Sequence, residues 1–329
     1  MTQTQFINCI QCIQGNLVGA PLTIDEHGII IPNEECKDDA LVIDLEHRII
    51  APGFIELQIN GALGFHFANY VDPTHYQGGL QKLSQYLPST GVTAFYPTVP
   101  TVQPDIFQKV LPFLGPFDSS TGASVLVSMG HSAASFEEGY QGKLAGATLL
   151  THTFNAMNPL HHREPGLAGL ISDQASPYFS LIADAIHLHP SIVSLAYHSG
   201  PEKAILITDS VELSGLPDGL YPGHSQIPHP QLKVGNKVTI SGTETLVGTC
   251  IPLDQCLRNL IKWACLPIEK AVLTVTENVA NAMLLKDRGR LTIGKRGDFV
   301  VLNDLGDLLG TWVMGREVWS RDWGSYNHL

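Results

Sequence analysis

The chain has 329 residues, of which 44% are hydrophobic and 15% charged, and it carries a formal net charge of −12. That length suits one large α/β unit with an appendage or two ordinary domains, and the composition excludes a disordered chain. The acidic balance argues against nucleic acid or an anionic membrane as a partner, so an anionic substrate would need a local cationic pocket.

The first residues, "MTQTQFINCIQCIQGN", lack a basic stretch followed by an unbroken apolar run, and no segment reaches the length of a membrane span. A soluble, cytoplasmic protein with no membrane partner is expected. Six cysteines are scattered, and the Cys9-x-x-Cys12 pair has no second Cys or His pair in register to complete a structural zinc site.

Up to residue 51 the chain reads as short strands ("FINCIQCI", "NLVGAPLTID", "GIIIPN", "ALVIDLEHRIIAPGF") broken by Gly, Pro and Asn. Apolar runs followed by helical stretches come next: "PGFIELQIN", "GVTAFYPT", "ASVLVSMGH", "GATLLTH", "YFSLIADAIH" and "KAILITDS". This alternation predicts a parallel sheet of the (β/α)8 type. Residues 211–243, rich in Gly, Pro and His, form a long insertion that could fold as a hairpin or lid. Two amphipathic helices are expected over 251–266 and 267–285, on the outside of the barrel. The tail "GRLTIGKRGDFVVLNDLGDLLGTWVMGREVW" again reads as strands. The expected division is therefore a small β-sandwich domain from residues 1–51 and 291–329, and a barrel domain over 52–290.

Polar residues recur where the apolar runs end: Gln58 and Asn60, His131, His152, Asp184 and His187, and Asp209. In a barrel those ends open on one face, where active sites of this architecture lie. Neutral imidazoles suit zinc and similar ions, and a nearby carboxylate can complete the shell or take a proton from water. His131, His152 and Asp209 are thus the candidate metal and acid–base group. The stretch "THTFNAMNPLHHREPG" (151–166) packs three histidines, an arginine, a glutamate and two prolines directly after the apolar run "LAGATLL". His66 is read as facing the mouth or packing, His189 as a loop residue, His161 as an outer or surface residue, and His224 and His229 as exposed.

The segments "PGFIELQINGALGFHF", "GHSAAS", "THTFNAMNPLHHREPGLAGLI", "IADAIHLHP", "ILITDS", "LVGT" and "GRLTIGKRGDFVVL" occur in one order from residue 52 to the tail. Together they resemble the N-acetylglucosamine-6-phosphate deacetylase family of the amidohydrolase superfamily. The resemblance implies hydrolysis of N-acetylglucosamine 6-phosphate to glucosamine 6-phosphate and acetate by a homodimer holding one divalent ion, zinc, per subunit. It makes His131 and His152 metal ligands and Asp209 the group that activates water and later protonates the leaving amine. His187 becomes a substrate contact near the scissile amide, and Asn155, Ala156 and Arg163 the sugar-phosphate site. Gln58 and Asn60 stand where many amidohydrolases have a His-x-His pair, which favours one metal over two.

The pattern breaks between the second strand and His131. The family's segment with a "HLEGPF"-type motif, whose Glu is a metal ligand, has no clear counterpart. Its nearest echo, "FLGPF" (113–117), would put Leu114 at the Glu position. The preferred explanation is that a block of roughly two βα units is absent, with the junction inside 123–131 and an incomplete barrel as the result. Loss of that ligand predicts weaker metal binding, and leaves as an alternative a relative that binds amino-sugar phosphate without turnover.

Overall fold

In a computed structural model, residues 2–114, 126–172 and 176–321 are described. The junction expected inside 123–131, part of the "FLGPF" stretch and the last eight residues of the proposed β domain fall wholly or partly outside them.

Six short parallel strands occupy the middle of the chain. β1 (Phe54–Ile59) pairs with β2 (Val92–Pro97). β3 (Val127–Met129), β4 (Ala147–Leu150), β5 (Tyr178–Ile182) and β6 (Ala204–Ile207) form a second sheet in that order. In β6, "AILI", every residue is buried, as required of a strand covered on both faces. One face of these strands meets the helices α1 (Pro73–Tyr86), α2 (Pro190–Ser199) and α3 (Leu253–Ala264), where Leu181, Leu206, Val193, Leu257 and Leu260 share one apolar cluster. On the other face Ile55, Ile182, Ile205 and Ile207 form a second cluster with Val279 and Ala280. The α/β character expected from the apolar runs is therefore present.

The two sheets meet along β1 and β6. The N–H of Asp209 donates to the Gln58 carbonyl (2.9 Å) and that of Asn60 to the Ser210 carbonyl (2.9 Å). On the far side, β2 and β3 have no strand partner on their outer edges among the described residues. The described parallel strands of this middle region thus number six, in two sheets, and do not close into one ring.

Both chain ends build a separate pair of sheets. One has four strands from residues 4–44. The other has six, in which Ile49–Pro52 from the N-terminal part pairs antiparallel with Phe299–Leu302 from the C-terminal part. They share a cluster that includes Phe6, Ile24, Leu45, Ile50, Phe299 and Trp312. The Phe299 and Trp312 rings stack at 5.1 Å, and Phe6 meets Phe299 edge-on at 4.8 Å. The insertion is a four-stranded antiparallel sheet spanning residues 219–249. No helix among the described residues is long and apolar enough to cross a membrane.

Candidate active site

His131, His152 and Asp209 each stand two residues beyond the end of a strand (β3, β4 and β6), and each has a left-handed backbone, with φ of 47°, 30° and 49°. Such conformations cost non-glycine residues roughly 1–3 kcal/mol each and persist where the surroundings impose them. The surroundings here are specific. The Ser180 hydroxyl accepts from the His152 N–H (2.7 Å) and donates to the Leu150 carbonyl (3.2 Å), and the N–H of Thr153 reaches the Ser180 carbonyl (2.8 Å). Gly130 allows the neighbouring strand end to come close, since a Cβ there would lie 2.7 Å from the Cβ of Thr151.

These turns bring His131 Nε2 within 2.8 Å of His152 Nε2. Both rings and Asp209 line one cavity of about 850 Å³, together with Gln58 and Asn60. The Asp209 carboxylate is held in place, because Gln58 Nε2 and Asn60 Nδ2 both donate to its Oδ1 at 2.9 Å. The two amides thus orient the carboxylate. Burial pushes the His152 imidazole below its usual pKa, against the pull of Asp209.

The second group lies apart from this cavity. His187 Nδ1 is 2.7 Å from Asp184 Oδ2, while Asp184 Oδ1 accepts from the N–H groups of Ile186 and His187 at 2.8 Å. Burial raises the Asp184 carboxyl, but the His187 ring and these N–H groups outweigh it and bring it below the usual range. The charged carboxylate then favours the Nδ1–H tautomer, leaving His187 Nε2 as an acceptor. Asn155 Nδ2 donates to the His187 carbonyl (3.3 Å), and Ala156 follows with φ of 51°. Arg163 is exposed, and its guanidinium has no hydrogen bond or ion pair among the described residues. Its loop is tied down, with Glu164 Oε1 accepting from the N–H groups of Phe136 (2.7 Å) and Gly166 (3.1 Å).

The donor set can be tested against a divalent ion. Two imidazole nitrogens converge, and His152 Nδ1 is buried without a hydrogen-bond partner, so nothing here fixes the tautomer against ligation through Nε2. A third ligand is not gathered, because no group of three His, Cys, Asp or Glu residues at metal-binding geometry occurs among the described residues. The residues therefore fit an ion held by two histidines. Leu114 does not take the missing place, since it packs on the apolar cluster beneath the helices and is not among the residues that line the cavity.

Two buried acidic groups escaped the sequence reading. Glu56 is almost wholly buried, accepts from the N–H groups of Gln58 (3.0 Å) and Thr208 (3.2 Å), and is raised by that burial to about 8. Its folded pKa lies above the unfolded value near 4.5, so the fold binds the extra proton between those limits. Stability from this group is full below pH 4.5 and is lost as pH rises to 8, by at most about 1.4 kcal/mol per pH unit. Melting curves from pH 5 to 9 should show this decline, and Glu56→Gln should flatten it and raise the melting temperature at pH 8; a wild-type curve flat between pH 5 and 8 would refute the argument.

Glu212 is the second group, and it corrects the expectation that His224 is exposed. His224 Nε2 lies 3.2 Å from Glu212 Oε1, Gln231 Nε2 donates to the same oxygen (2.8 Å), and the His66 ring sits 5.1 Å from that of His224. Burial raises the Glu212 carboxyl, but His224 and Gln231 outweigh it and hold it below the usual range; burial pushes His66 down to about 4. Nδ1 of His66 accepts from the Ala68 N–H and that of His224 from the Gln226 N–H, which places a ring proton on Nε2 in each. The cluster therefore sets His224 of the insertion against His66, in the short antiparallel pair of Gly61–Ala62 with Phe65–His66, and offers no pair of Nε2 lone pairs to a metal. Spacing could not reveal it, because Gln231 and Glu212 are brought together only by the insertion's own sheet. His189 is a loop residue as expected, capping α2 by accepting from the Ser191 N–H.

No family model matches the chain. Among curated proteins, N-acetylglucosamine-6-phosphate deacetylase of Caenorhabditis elegans is 30% identical over 397 residues, covering 95% of this chain and 94% of that protein. The chain belongs to that deacetylase family. The human deacetylase is 28% identical, covering 97% of this chain and 96% of its own length. The match to the nematode deacetylase runs longer than the 329 residues present here, so that relative has segments without a counterpart in this chain. The open edges of β2 and β3, on either side of residues 98–126, lie where the sequence pattern breaks.

Among solved structures, the deacetylase of Pasteurella multocida superposes with a TM-score of 0.84 at 19% identity, covering 97% of this chain and all of that one. A mutant Mycobacterium smegmatis deacetylase in complex with N-acetyl-D-glucosamine-6-phosphate gives 0.79 at 20% identity, covering 96% and 99%. At those identities the likeness concerns the fold.

Proposed function

We propose that this chain hydrolyses N-acetylglucosamine 6-phosphate to glucosamine 6-phosphate and acetate. The observation that carries the reading is the convergence of His131, His152 and Asp209 on one cavity in a chain of the deacetylase family. His131 and His152 would hold the ion. A divalent ion, zinc by the donor set, supplies Lewis-acid polarisation of the amide carbonyl when bound. Asp209, fixed by Gln58 and Asn60, takes a proton from the attacking water at its carboxylate and returns it to the amine nitrogen as the C–N bond breaks. His187, oriented by Asp184, would meet the substrate near the amide through Nε2. Asn155, the backbone at Ala156, and Arg163 would hold the phosphate, which anchors the sugar away from the bond that breaks.

The same reading takes the six parallel strands as a (β/α)8 barrel lacking two strands between β2 and β3, with the terminal sheets as a β-sandwich domain (1–51 and 291–329) and the insertion as its lid. It also takes the protein as a cytoplasmic homodimer.

Purified chain, shown folded by circular dichroism and supplied with zinc, should release free amine from N-acetylglucosamine 6-phosphate. Release no faster than the protein-free blank would reject the activity. Arg163→Ala should raise KM roughly 10- to 100-fold with kcat nearly unchanged, the loss expected for one charge-assisted contact to phosphate. The lack of a third ligand among the described residues favours a second reading, in which sugar phosphate binds without turnover. Calorimetry would then show sugar-phosphate binding with less than one ion per chain.

A further inference from the structure

Asp209 can take a proton from water and return it to the amine only while its carboxylate is aimed, and part of that aim comes from outside the cavity. Gln58 belongs to β1 and Asp209 follows β6, and among the described residues those strands lie in different sheets. Two backbone bonds join their ends, from the Asp209 N–H to the Gln58 carbonyl and from the Asn60 N–H to the Ser210 carbonyl. A third tie is the side chain of Glu56. Its Oε1 accepts from the N–H of Gln58 (3.0 Å) and from the N–H of Thr208 (3.3 Å), and its Oε2 lies 3.2 Å from the same Thr208 nitrogen. One oxygen thus holds both the residue whose amide bonds Asp209 and the residue that immediately precedes Asp209.

The surroundings are otherwise poor for a carboxyl. Glu56 is 1% exposed and has no cation among the groups that act on it. It does not line the cavity of the site, and borders instead a small space shared with Tyr86 at the end of α1 and Leu253 at the start of α3. An apolar side chain would be desolvated there at less cost. What the carboxyl supplies is acceptor oxygen: burial raises it to about 8, so at neutral pH it is mostly uncharged, and Oε1 alone reaches both N–H groups. Without an acceptor those N–H groups would be buried and unpaired, a state relieved by sliding β1 against β6. The left-handed turn at Asp209 (φ 49°) starts from Thr208, whose hydroxyl accepts from the Ser210 N–H (3.2 Å), so such a slide carries the carboxylate away from the Gln58 amide.

We propose that Glu56 is a positioning residue for the hydrolysis: by receiving the N–H groups of Gln58 and Thr208 it locks Gln58 to Asp209 and so aims the carboxylate that handles the proton. The inference rests on the deacetylase reading above and adds no group that touches substrate.

Two variants test it. Glu56→Met keeps the length and unbranched shape of the side chain and removes both acceptors, whereas Glu56→Gln keeps Oε1. Each is assayed on the zinc-supplied chain for release of free amine from N-acetylglucosamine 6-phosphate, in the wild-type and the Asp209→Asn backgrounds. Glu56→Met should lower kcat roughly 10- to 100-fold with KM within about twofold of wild type, the signature of a displaced reacting group. Glu56→Gln should rescue kcat to within about threefold of wild type, and Glu56→Met added to Asp209→Asn should cost less than about threefold, because a residue that acts through Asp209 then has nothing left to aim. Equal losses in the two backgrounds, a rise in KM in place of a fall in kcat, or wild-type kcat in Glu56→Met overturns the proposal. If circular dichroism shows that Glu56→Met does not fold, Glu56→Gln decides: kcat within about threefold supports the acceptor role, and a loss of about tenfold or more overturns it. No turnover by the wild-type chain overturns the deacetylase reading and this role with it, while turnover with any of the contrary patterns removes Glu56 alone.

Discussion

Asp209→Asn lowers kcat by about 10²- to 10⁴-fold, the contribution typical of a positioned acid–base group, while KM and melting temperature stay close to wild type. Asparagine keeps the shape of the side chain, and its Oδ1 can still accept from Gln58 Nε2 and Asn60 Nδ2, which both bond Oδ1 in the wild type. The left-handed turn at φ 49° also tolerates asparagine better than most residues. What disappears is the capacity to take a proton from water and pass it to the amine. Steady-state kinetics beside a thermal melt check this, and a variant retaining more than a tenth of wild-type kcat would remove Asp209 from the proton pathway. Conversely, Gln58→Ala should act through Asp209, lowering kcat more than it changes KM, because it deletes one of the two donors that aim the carboxylate.

Trp312→Ala costs about 3–5 kcal/mol, the range for truncating a large buried aromatic. Trp312 is almost wholly buried, stacks on Phe299 and meets Phe6 edge-on at 6.3 Å, so the substitution empties the centre of the layer shared by the two terminal sheets. Because strands from both ends of the chain contribute, the loss should affect the pairing of Ile49–Pro52 with Phe299–Leu302 rather than one terminus alone. Denaturant unfolding followed by tryptophan-independent circular dichroism would measure it. A chain of this size can unfold in more than one step, so the expected sign is an early transition shifted to lower denaturant, with the site's transition unmoved. An unchanged midpoint would mean that the terminal sheets draw little stability from their shared core.

Much of the site could be read from the chain because its signals are local. An apolar run followed within two residues by His131, His152 or Asp209 is a strand end carrying a polar group, and such ends face one way in a parallel sheet. The run "ILITDS" became a fully buried strand with its aspartate two residues on, and "GATLLTH" became a partly buried strand with its histidine two residues on. The terminal strands were legible for a similar reason, from short β-rich runs broken by glycine and proline. Their pairing across nearly the whole chain was an inference from shared character alone.

The features that were not legible depend on contacts between distant segments. Gln58 reaches Asp209 across 151 positions, and Glu56 meets the N–H of Thr208 across 152, so neither role leaves a periodic trace. His224 read as exposed because a Gly- and Pro-rich insertion normally is, yet the insertion folds into its own sheet and places that ring against Glu212.

By itself the sequence determined the α/β class, the deacetylase family, the strand ends that bear His131, His152 and Asp209 and the break in the pattern before His131, since residue type and order along the chain specify all of these. The tertiary structure alone decided that the two histidines meet nitrogen to nitrogen, that two amides aim Asp209, that Leu114 packs on the apolar cluster and does not line the site's cavity, and that among the described residues β2 and β3 do not pair with each other. Those outcomes are set by the packing of strands and turns far apart in sequence, where distance and burial, rather than composition, fix what a side chain can do.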